Sequence, residues 1–195
     1  MLSTTRRRLL GVGAASTALL GAGGLLSWLT RGYADVDAVC VALSDKEQHI
    51  VGAVVDALFP ARGAFPAGRA VDVVARIDEE LYAQPPALRE DLKAAIQLLE
   101  HAPPVVGVLH RLSALPVDER ARVFQRLMER GPAVVVQCAV SLKQLSSLAY
   151  YADPRVWGAI GYDGPWMPVP QPPASRARWL AAVADKQLGN QQGPR

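Results

Sequence analysis

The sequence predicts an all-α protein, a compact bundle of five to six main helices preceded by an export-signal helix. Three observations lead there. Apolar residues recur at three- and four-residue steps through most of the chain. Proline pairs and Gly-Pro steps punctuate those runs at helix-length intervals. No alternating strand pair and no Asn-Gly hairpin signal occurs anywhere. At 195 residues, half of them apolar and a fifth charged, the chain has ordinary globular composition. That excludes a disordered chain, a disulfide-dense miniprotein and a multispan membrane protein.

Residues 1–34 read as a leader and residues 35–195 as a helical domain. Thr5-Arg6-Arg7-Arg8-Leu9-Leu10 precedes 21 uncharged residues, Leu9 to Leu29, rich in glycine and alanine. A basic start followed by an apolar run is an export signal, and the arginine pair points to the twin-arginine route, which carries folded cargo. Arg6 and Arg7 are the expected translocon-addressing residues. Gly32-Tyr33-Ala34 offers a small-x-small cleavage site. The alternative is a retained anchor, since 21 helical residues reach about 30 Å, enough to span a bilayer. Membrane contact is expected only through this leader. The leader also explains the charge. The chain is formally +3, but residues 1–34 hold four arginines and no acid, so the remainder is net −1. The domain therefore has no electrostatic case for nucleic acid.

Each helix of the domain has its own signal. Ser44-Asp45-Lys46-Glu47 is a capping box, opening a helix that runs to about Phe59 and stops at Pro60. Residues 60–69 form a loop. Val71, Val74, Ile77 and Leu81 share one helix face, and Pro85-Pro86 ends that helix. Leu88, Leu92, Ala95, Ile96 and Leu99 line the next, which ends before Pro103-Pro104. Val105 to Leu112 reads as a short apolar turn. Pro116 starts a helix whose first turn carries Asp118 and Glu119, suited to the positive helix end. Val117, Ala121, Phe124 and Leu127 form its expected buried side. After Gly131-Pro132, the run Ala133 to Ala152 has Lys143 as its only charge, and Cys138, Leu142, Leu145 and Ala149 keep helical register. It reads as a central buried helix. Asp78-Glu79-Glu80 and Arg120-x-Arg122 read as solvated faces. His101, at a helix C-terminal end, suits the dipole as a positive side chain.

Residues 150–173 break the pattern. Five of the chain's twelve aromatics fall between Tyr150 and Trp166, and six of its fifteen prolines between Pro154 and Pro173. Asp153-Pro154 caps a short helix ending near Gly161, Asp163-Gly164-Pro165 is a turn, and Trp166 to Pro173 reads as a polyproline-like arm. Two readings stand: a loop packing its aromatics on its own bundle, or an arm laying them on a partner protein. A helix from Ser175 to Leu188 and a mobile tail from Gly189 follow.

Chemical motifs are missing. There is no nucleophile elbow, phosphate loop, dinucleotide fingerprint or His-Glu-x-x-His, and His49, His101 and His110 lack ligand spacing. No metal site and no catalytic residue is expected. Cys40 and Cys138 lie outside any metal or haem motif. An oxidising compartment permits a disulfide between them, and two ordinary buried thiols are the plainer reading.

The twin-arginine leader, the opening helix Leu43-Ser44 to Phe59-Pro60, and above all Tyr150-Tyr151 through Tyr162-Asp163-Gly164-Pro165 together resemble the gluconate 2-dehydrogenase subunit 3 family. These are the small subunits of periplasmic flavin dehydrogenases. The resemblance implies a periplasmic, non-catalytic subunit that binds no cofactor itself. Its implied partners are a glucose-methanol-choline type flavoprotein that holds FAD, a multihaem cytochrome c, and the twin-arginine translocon. It implies that the small subunit carries the signal for export and maturation of the flavoprotein. On this likeness Tyr150, Tyr151, Trp157, Tyr162 and Trp166 contact the flavoprotein, with Pro154, Gly161, Gly164 and Pro165 shaping the arm. A stand-alone periplasmic enzyme, with residues 150–173 as a lid, and a tethered scaffold are the rival readings.

Overall fold

In a computed structural model of the chain, the structure describes Tyr33 and residues 39–167 and 173–191. The leader arginines Arg6 and Arg7 lie outside the described residues, as do 168–172 of the expected arm. The described residues carry seven α-helices and no strand, so the chain is all-α. The helices are α1 (Asp45–Leu58), α2 (Val73–Ala83), α3 (Pro86–Glu100), α4 (Val117–Arg130), α5 (Ala133–Tyr151), α6 (Pro154–Ile160) and α7 (Ala174–Gln191). Short 3-10 turns at Gly68–Val71 and Pro103–Val106 occupy two of the connections.

Local chemistry sets most boundaries. The capping box at α1 forms in full. Ser44 N donates to Glu47 Oε2 at 2.9 Å, and Glu47 N donates back to Ser44 Oγ at 3.4 Å. Pro116 sits one position before α4, and Gly131-Pro132 separates α4 from α5. Gly68 lets the 3-10 turn lie against α1, because a Cβ there would stand 2.5 Å from Val55 Cγ1.

The core is built where α1, α3, α4 and α5 converge. Val54, Leu99, Val123, Phe124, Leu127, Val135, Ala139 and Leu142 form one buried cluster. Each fully buried large side chain there contributes roughly 1.5–3 kcal/mol of transfer free energy. α2 packs between α5 and α7.

Several expectations need correction. Asp78 and Glu79 are buried and only Glu80 faces solvent. Asp78, at 0% exposure, accepts from the backbone N–H groups of Val41, Ala42 and Leu43 at 2.8–2.9 Å and from Trp179 Nε1 at 2.7 Å. One carboxylate thereby ties the segment before α1, α2 and α7 together, and four donors offset its desolvation. Lys186 Nζ adds a bond from α7 to Cys40 O at 2.6 Å.

Arg120 is likewise buried, while Arg122 is exposed. Its guanidinium donates to the carbonyls of Ala53, Leu112, Ser113 and Leu115 at 2.6–3.1 Å. Three of these acceptors belong to the irregular loop before α4 and the fourth to α1, so one guanidinium ties that loop to both helices. The buried Glu100 carboxylate fixes the same loop, accepting from Ser113 N at 2.9 Å and Ser113 Oγ at 2.6 Å.

Val117 is 42% exposed, because the inward face of α4 is made by Arg120, Val123, Phe124 and Leu127. α5 is helical and packs against α2, α3, α4 and α6, but only one of its sides is buried. Its Val135, Ala139, Leu142, Ser146 and Ala149 face inward, while Val134 and Leu148 face out. His101 does not favour the charged form. Burial lowers its pKa below the ordinary imidazole value, with Glu100 opposing and Lys46 and Arg111 assisting. The expected tail at Gly189 is helical as far as Gln191.

Candidate partner-binding face

The last turn of α5 divides two neighbouring tyrosines between core and surface. Tyr150 is 2% exposed. It stacks on Phe59 with ring centroids 4.4 Å apart at 13°, and its hydroxyl donates to Pro66 O at 2.8 Å. Burial, then Tyr151, raises the pKa of its phenol. Tyr150 therefore belongs to this chain's own core and is withdrawn as a partner contact. Tyr151, about 100° further round the helix, is exposed and meets the Tyr150 ring edge-on at 5.2 Å.

α6 is pinned at its start. Asp153 accepts from Arg155 N at 2.9 Å as the N-cap, and Pro154 occupies the first helical position. Arg155 then bridges Asp153, Asp72 and the Ala70 carbonyl at 2.6–3.0 Å. Its hydrogen bond holds the Asp153 carboxyl below the usual carboxylate range. Asp72 takes φ +56°, a left-handed conformation between the 3-10 turn and α2.

The chain after α6 folds back over Trp157. Gly161 ends the helix at φ +68°, and Tyr162 N donates to Trp157 O at 3.0 Å. The Trp157 and Tyr162 rings meet edge-on at 5.2 Å, and Trp157 Nε1 donates to Tyr151 O at 3.0 Å. Gly164 lies at φ +103° with its Cα against Trp157, where a Cβ would come within 3.1 Å of Cζ3. Trp157 is thus the half-buried pillar of the segment, and Gly161 and Gly164 shape it. Tyr162, Pro165 and Trp166 stay on the surface, Trp166 at 89% exposure. Ile160 and Met167 are exposed beside them in sequence.

Tyr151 also lines a groove of about 650 Å³ with Met128 of α4 and Val140, Lys143, Gln144, Ser147 and Leu148 of α5. Leu148 is 68% exposed. The sequence reading missed this face. Its available signal was the polar stripe Gln137, Gln144 and Lys143 on α5, which marks a solvent side that Leu148 and Tyr151 share.

A polar cleft of about 400 Å³ lies where α2, the start of α6 and α7 meet. Its charges are mutually paired. Arg76 meets Glu79 at 2.8 Å, Arg176 meets Glu79 at 3.8 Å, and Arg155 meets Asp72 at 3.0 Å. Cys40 and Cys138 form no disulfide. Both thiols are free, Cys40 buried beside Asp78 and Lys186 and Cys138 half-buried on α5. Among the described residues no three His, Cys, Asp or Glu side chains converge on a metal position, and no helix is long and apolar enough to cross a membrane.

No family model matches this chain, and no curated protein or solved structure matches it.

Proposed function

We propose that this chain is the non-catalytic small subunit of a periplasmic FAD-dependent alcohol or sugar dehydrogenase. Its leader carries the flavoprotein subunit through the twin-arginine translocon, and its body supports the maturation of that subunit. The supporting observation is the exposure of Tyr151 and Tyr162 in the most specific segment of the family resemblance, and of Trp166 just after it. Large exposed aromatics on a segment held rigid by a cap, two positive-φ glycines and the Trp157 pillar suit an interface core. Little ordering entropy remains to be lost on docking.

In this reading the surface formed by Tyr151, Tyr162, Pro165 and Trp166 meets the flavoprotein. Trp157, Pro154, Gly161 and Gly164 hold that surface in shape from behind. FAD and the substrate belong to the large subunit, and electrons leave through a multihaem cytochrome c. Arg6 and Arg7 address the translocon.

Replacing Arg6 and Arg7 together by lysine tests the carrier role. Fractionation is expected to find both this chain and the flavoprotein retained in the cytoplasm. Normal export of the flavoprotein in that variant would overturn the role.

A further inference from the structure

A second void lies between α2, α3 and α5 and shares no lining residue with the groove. It measures about 160 Å³. Leu81, Leu99 and Leu142 form its floor and are buried. Leu92 and Ala95 on α3 and Cys138, Ser141 and Leu145 on α5 complete its lining and are half-buried. Ala95, Cys138 and Ser141 are the small side chains of that lining, and larger ones there would reduce the space. No charged side chain lines the void, and Ser141 Oγ already accepts from Gln137 Nε2 at 3.2 Å.

Such a lining discriminates sharply by chemistry. A water entering from the open side finds almost no polar partner on these walls and must bond to other waters. A charged ligand would be desolvated with nothing to offset the loss. An apolar molecule restores the dispersion contacts that the empty side of each wall forgoes. An enclosed aliphatic cavity of about 150 Å³ in another protein accepts benzene or xenon, and this void resembles it in size and lining while opening to solvent on one side.

We propose that this cavity is a binding site for a compact, uncharged apolar molecule the size of a benzene ring. Its entrance is on the half-buried side of the lining, by Ala95, Cys138 and Ser141. The site is independent of any flavoprotein partner.

Benzene is the probe, and Cys138 is a built-in reporter. Cys40 is fully buried and its thiol is pushed up to about 12, chiefly by burial and then by Asp78, so it stays silent toward thiol reagents. In the full chain, benzene is expected to raise the melting temperature saturably and to slow methylthiolation of Cys138 severalfold. Ala95→Leu, which puts an isobutyl group into the void, is expected to lose the melting response and to react slowly without benzene. Ser141→Leu fills the void from the opposite wall and serves the same purpose if the first variant folds poorly. Three results would each overturn the proposal. One is a wild-type melting temperature unchanged across the titration. Another is a shift that leaves Cys138 labelling unchanged. The third is a filled variant that responds to benzene as the wild type does.

Discussion

Two regions of this molecule invert the usual placement of side chains, and they do so in opposite directions. At the Asp78 and Arg120 nodes, charged groups are turned inward. Between Tyr151 and Met167, aromatic and aliphatic groups are turned outward. At the nodes the bonds close on the fold itself: Asp78 accepts four, and Arg120 donates four. These buried charges account for themselves as architecture. In the aromatic segment the inner members, Tyr150 and Trp157, are engaged by Phe59, Pro66, Tyr151 and Tyr162. The outer members, Tyr162 and Trp166, present apolar area to solvent. The difference separates groups that complete the fold from groups that the fold displays.

Substitutions sharpen that division, and the nodes should give the largest effect. Asp78→Ala strands four donors and removes one of the bonds that hold α7 to the bundle. It is expected to destabilise the chain by on the order of 4 kcal/mol in denaturant titration. A loss near zero would mean that water replaces the carboxylate. The displayed aromatics should behave in the opposite way. Trp166→Ala with Tyr151→Ala is expected to leave stability within about 0.5 kcal/mol. The same pair should weaken the flavoprotein complex by about 2 kcal/mol or more. A stability loss as large as that of Asp78→Ala would place these rings in the chain's own core.

A smaller effect is expected at Gly161. Nothing crowds the position a Cβ would take, so Gly161→Ala costs the left-handed backbone alone, about 1 kcal/mol. Its complex with the partner should weaken only as far as the Trp157 pillar shifts.

The smallest effect is expected from pH. Burial lowers the pKa of both His49 and His101. The unfolded chain then binds more protons than the folded one below the ordinary imidazole value of about 6.5. Stability should fall as pH drops from there through the lower folded values, and be flat above. Glu100 opposes the shift at both sites, while Arg69, Arg111 and Arg120 reinforce it at His49 and Lys46 and Arg111 at His101. His49→Gln with His101→Gln should flatten the dependence in thermal melts, and an unchanged slope would assign it to carboxylates.

The same division marks what could be read from the sequence. Ser44 with Glu47, Asp153 with Pro154, and Gly131 with Pro132 act within a few residues, so the helices they bound were legible. Asp78 and Arg120 were not, because their partners lie 35–37 and 101 residues away for Asp78 and as far as 67 away for Arg120. A charge run on a helix looks solvated until the fold brings backbone donors or carbonyls to it. Composition also overstated the burial of α5, since a run with one charge reads as buried all round although its Gln137–Gln144 stripe faces out. Tyr150 and Tyr151 were indistinguishable as neighbours. Only the position of Phe59, ninety residues upstream, decides which of them is core.

The central claim is that the displayed aromatics exist for a flavoprotein. Affinity purification of the tagged full chain from its native envelope tests this most directly, read by absorbance near 450 nm and by the mass of co-purifying polypeptides. The account predicts a yellow complex containing a second polypeptide of flavoprotein size, lost when Tyr151 and Trp166 are replaced by alanine. A colourless chain that purifies alone would contradict it.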